Sequence, residues 1–258
     1  MAREFLYREL PDDDFAVKNR HNSKKSQQEM IWIAEAAKFA GEGSEVFVAG
    51  CGWMFEIIKV ESGKIAYIRD GKLINPQSEF FAVFYAPFSI IKISIADVKM
   101  RWAGIGAAST TAPASWMTVP LIFDLPIAAL PKNADEMIEI LKTPRRFQSI
   151  EINTKPSLLA KRAKKIIDEN WLASPSIAAI ARTLKVSHPH LTRQFKKDYG
   201  LAPKTYLHKV RLHFAIWKLS QGEKIANVSF DSGYNDLSRF YKQFRKFMKT
   251  SPGSCRIF

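Results

Sequence analysis

The chain has 258 residues, 47% of them hydrophobic, with a formal charge of +14. That length suits one large domain or two ordinary ones, each with a real core. Its two cysteines, Cys51 and Cys255, lie far apart in sequence; they exclude a disulfide framework and a cysteine metal site, which fits a reducing cytosol and a cytoplasmic location.

The charge is segregated. Residues 155–258 carry 21 Lys and Arg against 6 Asp and Glu, while residues 1–154 carry 18 against 19. A basic domain beside a neutral one points to a polyanionic partner for the C-terminal part alone.

The first thirty residues are polar, meet Asp12-Asp13-Asp14 early, and lack the apolar core of a signal peptide. Gln27 to Ala40 is ambiguous: its Ala and Glu content suits a helix, whereas Met30-Ile31-Trp32-Ile33 suits a strand. From Glu45 the pattern predicts short strands at Val46–Val48, Trp53–Val60, Lys64–Arg69, Phe80–Tyr85 and Ser89–Ile95, all rich in β-branched and aromatic residues. Ser62-Gly63 and Asp70-Gly71 read as hairpin turns. Strands at this spacing imply a sandwich or barrel. The uncharged run Trp102 to Phe123 contains Pro113, Pro120 and two glycines. It reads as buried strand and loop, not as a membrane helix. Asn133 to Lys142 reads as a short amphipathic helix with Met137, Ile138 and Leu141 on one side, and Asn133–Leu141 is a candidate dimer helix.

Catalytic chemistry finds little support in this part. His21 is its only histidine, and it has neither a phosphate-binding glycine loop nor a nucleophile elbow. Glu56 and Glu61 read as outward strand positions. No catalytic residue, metal ligand or cofactor is expected. The aromatics Trp53, Phe55, Phe80, Phe81, Phe84, Tyr85 and Trp102 are core, with a minority available to line a ligand cavity.

The charge balance changes over Phe147 to Pro156, which places the domain boundary: a β-rich effector or dimerisation domain over 1–150, a linker over 151–157, and a helical domain over 158–258. Leu158 to Trp171 is the first helix. Ser174-Pro175 reads as N-cap and first position of the next, with Ile177, Ile180, Ala181 and Leu184 buried. Ser187 caps a third helix with Leu191 and Phe195 as core, leaving His188, Pro189, Thr192, Arg193 and Lys196 outward. Gly200 stops it, and Pro203 opens a connector running to about Ser220, striped by Leu207, Val210, Phe214 and Trp217.

The next stretch repeats the plan. At an offset of 48, Ile177 falls on Ile225, Ile180 on Val228 and Val186 on Tyr234; at 49, Leu191 falls on Phe240, Phe195 on Phe244 and Pro203 on Pro252. One extra residue in the second turn accounts for the change. Two helix-turn-helix units follow, over about 175–200 and 224–248. In the second, Gly233 makes the turn, Asn235 or Asp236 caps, and Phe247 adds to the core. Leu237, Ser238, Arg239, Lys242, Gln243 and Arg245 are left for solvent or DNA. A helix pair at a tight turn carries a recognition helix into the major groove.

Leu184-Lys185-Val186-Ser187, Leu191 to Lys197, Gly200, Pro203, Arg211-Leu212, Gly233-Tyr234-Asn235-Asp236, Phe240, Phe244-Arg245-Lys246, Pro252 and Arg256 resemble the DNA-binding domain of AraC/XylS transcription regulators. The resemblance covers roughly the last hundred residues. It implies a cupin-like N-terminal domain that binds a small effector or forms a homodimer, and two recognition helices in successive major-groove segments of double-stranded DNA. It further implies transcription activation, hence contact with RNA polymerase. By position, Pro189, Thr192 and Arg193 would face bases in the first unit, and Leu237, Ser238, Arg239 and Lys242 in the second. Lys185 and Lys249 stand where the family commonly has glycine, and Ser229 where it commonly has alanine; a left-handed Lys249 would store roughly 1 kcal/mol. The expected class is therefore α+β in two domains. The alternatives are a non-specific nucleic-acid binder and a cupin-type metalloenzyme fused to a regulator.

Overall fold

The computed structural model describes residues 30–38, 40–107, 117–125, 139–140, 147–173, 175–248 and 251–255. The chain divides into two compact units, residues 1–47 with 52–152 and residues 48–51 with 153–258. Among the described residues the first is β-rich and the second mainly helical, so the expected α+β class is found.

The first unit is an eight-stranded antiparallel sheet. Its strands are β1 Met30–Lys38, β2 Glu42–Val48, β3 Trp53–Arg69, β4 Lys72–Ile74, β5 Phe80–Tyr85, β6 Ile90–Ala107, β7 Leu121–Asp124 and β8 Gln148–Ser149. Their order is β1-β6-β3-β5-β7-β8, with β2 also on β6 and β4 on β3. All six residues of β5 are buried, so this central strand is apolar on both faces and does not alternate. On one face Phe55 stacks on Phe123 at 5.9 Å and Trp53 on Phe84 at 6.4 Å. On the other, the Tyr67 ring meets the edge of Phe81 at 6.3 Å. Each such pair contributes about 0.5–1.5 kcal/mol beyond its buried area.

Three sequence expectations change here. The ambiguous Gln27–Ala40 segment contributes a strand, paired from Met30↔Ala107 to Lys38↔Lys99. Ser62-Gly63 is not a hairpin turn: β3 runs through it without reversing, pairing with β6 on both sides and shifting register between Val60 and Lys64. A bulge uses the same glycine chemistry as a turn. Gly63 has φ +80°, and a Cβ there would lie 2.3 Å from the Asp97 carbonyl oxygen. Finally, β6 extends twelve residues past the expected Ile95 end, to Ala107. Asp70-Gly71 does turn the chain between β3 and β4, with φ of 49° and 79°. Glu139 and Ile140 are helical; the remainder of the expected Asn133–Lys142 helix lies outside the described residues.

The second unit contains α1 Leu158–Asn170, α2 Ile177–Thr183, α3 His188–Tyr199, α4 Pro203–Ser220, α5 Ile225–Asp231 and α6 Leu237–Met248, closed by a 3-10 turn at Pro252–Cys255. Ser157 caps α1. The cap of α2 is Ser176, which leaves Pro175 before the helix and corrects the Ser174-Pro175 reading; Ser174 itself lies outside the described residues. The connector α4 has the expected ends, with Pro203 in its first turn. It belongs to two cores. Tyr206 packs 5.7 Å from Phe195, while Leu212, Ala215 and Leu219 join Val228, Tyr234, Phe240 and Phe244. Tyr206 also donates a 2.6 Å hydrogen bond to Asp168 of α1, a carboxylate whose other oxygen pairs with Lys164 at 2.7 Å.

The bulge sets a testable constraint. Gly63→Ala should lower stability by about 2 kcal/mol or more, since it combines positive φ with a backbone clash. Chemical denaturation followed by tryptophan fluorescence measures the loss.

Candidate nucleic-acid interface

The two helix-turn-helix units are built on one plan. In the first turn, Val186 donates to the Ala181 carbonyl and Lys185 to Arg182; in the second, Tyr234 donates to Ser229 and Gly233 to Phe230, all at 2.8–3.1 Å. Each pair is displaced by 48. Past the turn the offset is 49: Ser187 Oγ accepts from the His190 amide at 3.3 Å, and Asp236 Oδ1 from the Arg239 amide at 2.6 Å. Of the two candidate caps Asn235 and Asp236, the second does the capping. Both recognition helices, α3 and α6, have twelve residues. Each buries an apolar pair, Leu191 with Phe195 and Phe240 with Phe244, leaving the opposite face outward.

That outward face holds nearly every expected contact residue. Ser187, His188, Pro189, Arg193 and Lys196 are exposed in the first unit, as are Asn235, Leu237, Ser238, Arg239, Lys242 and Arg245 in the second. Thr192 is the exception: it is half-buried, and its Oγ1 is shielded from solvent without a hydrogen-bond partner. An open groove runs along α6, lined by Leu237, Ser238, Tyr241, Lys242 and Arg245. Tyr241 was not singled out by sequence; its ring lies under the Arg245 guanidinium at 6.0 Å.

The turns differ in strain. Gly233 and Lys185 occupy the same place, with φ of +77° and +56°. A lysine there carries the left-handed cost that glycine avoids; Lys249, where such strain is also expected, lies outside the described residues. Ser229 is fully buried with its hydroxyl unpartnered. The hydroxyl adds desolvation that an alanine would spare.

Arg211 has a structural role that its sequence pattern does not disclose. It is 4% exposed. Its guanidinium donates to the Trp171 carbonyl at 2.8 and 2.5 Å and to the Gly233 carbonyl at 3.1 Å. One side chain on the connector thus joins the end of α1 to the turn of the second unit.

His208, also on α4, is held far below the usual histidine range, at about 4, by burial and then by Arg211, Lys204, Arg239 and Lys246. His213 is likewise pushed down to about 4 by burial and Lys209. Among the described residues no three His, Cys, Asp or Glu side chains group as a metal site, and no helix is long and apolar enough to cross a membrane.

Comparison with known proteins agrees with this geometry. The profile of a helix-turn-helix domain family matches residues 180–256. The chain is 29% identical over 107 residues to the Msm operon regulatory protein of Streptococcus mutans, covering 41% of this chain and 38% of that protein. It is 36% identical over 91 residues to the transcriptional activator RhaS of Pectobacterium carotovorum, covering 35% and 33%. The chain therefore spans little more than a third of the length of these curated relatives. ToxT from Vibrio cholerae, a solved structure, overlays with a TM-score of 0.48 at 14% identity, covering 86% of this chain and 97% of that one. The C-terminal unit is a helix-turn-helix domain of the AraC family.

Two stability measurements follow. Lys185→Gly should raise the unfolding free energy by about 1 kcal/mol, read from denaturant midpoints. The two histidines prefer the neutral form in the folded state, so their stabilisation is complete above about pH 6.5 and is lost as pH falls towards about 4. The melting temperature should drop between pH 7 and pH 5, and drop less in His208→Gln.

Proposed function

We propose that the protein is a sequence-specific DNA-binding regulator of transcription, an activator, which inserts α3 and α6 into successive major-groove segments on one face of the duplex. The observation that carries this reading is the duplicated helix-turn-helix joined by one continuous helix, with both recognition faces exposed. At about 1.5 Å per residue, the eighteen residues of α4 span roughly 27 Å. With a helix diameter added, this suits the roughly 34 Å between major-groove faces one turn apart. The relatives named as transcription activators support the direction of regulation, and activation implies contact with RNA polymerase in the cytoplasm.

In this reading Pro189 and Arg193 approach bases in the first box, and Leu237, Ser238, Arg239 and Lys242 in the second. Lys196 and Arg245 lie over phosphates. The half-buried Thr192 hydroxyl supports a packing role in place of base reading. The β unit serves as the effector-binding or dimerising module, its aromatic core suiting a small apolar ligand. No step calls for catalysis, a metal or a cofactor.

The test uses the full chain and a duplex selected from a random pool. Arg193→Ala or Arg239→Ala should weaken the selected duplex by about 1–3 kcal/mol and relax base choice at the positions read. A five-base-pair insertion between the two boxes should abolish tight binding, because it turns one box to the far side of a duplex that a rigid connector cannot follow. Equal affinity for both duplexes would mean that only one unit reads sequence. Absence of any selected duplex would favour the non-specific binder.

A further inference from the structure

A further group of cations stands where the start of α4 packs against α6. Lys204 and His208 stand one turn apart on α4, and so share a side of that helix. The His208 ring stacks on Tyr234 at 6.1 Å and on Phe247 at 6.3 Å, with its Nδ1 3.4 Å from the Tyr234 hydroxyl. The first turns of the connector thereby meet the second unit's turn and the last turns of α6. Lys246 holds its ammonium over the Phe247 ring at 5.5 Å. Arg239 stands in the first turn of α6, its amide anchored on Asp236.

Lys204, Arg239 and Lys246 are exposed, and none has a carboxylate within ion-pair distance among the described residues. Ion pairs among the described residues of this unit include Lys164–Asp168, Lys165–Glu169 and Lys218–Glu223. Like charges gathered without a counter-ion repel one another in the free protein. Such a group suits an anion that arrives from outside.

We propose that Lys204 and Lys246, seated beside the stacked Phe247, His208 and Tyr234 rings, form a third DNA contact, which binds the sugar–phosphate backbone alongside the second base-reading helix. The proposal rests on the DNA-binding reading above. The chemistry favours phosphate over base edges: an ammonium on a flexible stem is a point charge that meets phosphate oxygens from many directions, without the planar fork that reads a base. The stacked rings supply rigidity where the lysine stems supply reach. The contact would position the duplex without adding base preference.

The experiment measures full-chain binding against salt concentration, on the selected duplex and on an unselected duplex of equal length. Lys204→Gln/Lys246→Gln should make the plot of log K against log salt shallower by about 2 on both duplexes, close to 0.9 for each lost phosphate contact. The ratio of the two affinities should stay as in the unsubstituted chain. Lys64→Gln/Lys72→Gln, an equal removal of charge from the β unit, should leave the slope unchanged. An unchanged slope in the first variant would overturn the proposal, as would equal shallowing in the control or a changed affinity ratio. If selection enriches no duplex, the sequence-specific reading fails while the slope on unselected DNA still decides this contact.

Discussion

A single buried guanidinium fixes the geometry of the helical unit. Arg211 donates to the carbonyls that end α1, at Trp171 and Leu172, and to the carbonyl of Gly233 in the second turn. Carbonyls past the end of a helix carry partial negative charge, so a cation there satisfies orphan acceptors and the helix dipole together. Burying a charge is costly unless its donors are filled, and these bonds engage all three guanidinium nitrogens. The arrangement also explains why the two turns tolerate different residues. A Cβ on Gly233 would lie 2.9 Å from Arg211 Cζ, so a side chain there would crowd the guanidinium in addition to taking an unfavourable φ. Lys185 fills the equivalent position with an exposed side chain and meets only the backbone penalty.

From that joint the rest follows. The connector contributes to both cores, with Tyr206 against Phe195 on one side and Leu212, Ala215 and Leu219 against Phe240 and Phe244 on the other. Neither helix-turn-helix can rotate without opening a packed interface, and interfaces of this kind do not deform continuously. Fixed spacing between α3 and α6 is therefore a property of packing. In the proposed reading it would give the protein a ruler for DNA, at the cost of tolerance to altered box spacing.

Much of the helical unit was legible because its signals are local. Ser187, Gly200 and Pro203 act through their own backbone geometry, and the shift from 48 to 49 appears in the chain before any contact is known. The cap of α2 was misplaced because Ser174 and Ser176 flank one proline and only the helix start separates them. In the β unit, Ser62-Gly63 carries the chemistry of a turn, yet long-range pairing to Ala96 and Lys99 turns it into a bulge. The far end of β6, rich in alanine and glycine, has weak strand propensity and is held by its neighbours β1 and β3. Arg211 and Thr192 show the deeper limit. An arginine on a basic helix and a threonine on a recognition helix look alike whether exposed or buried, and burial belongs to the tertiary structure.

The central claim is that two recognition helices, locked at one spacing, read one face of the duplex. Hydroxyl-radical footprinting of the full chain on its selected duplex tests this directly. The account predicts two protected patches, one helical turn apart and on the same face. A single patch, or two patches on opposite faces, would contradict it.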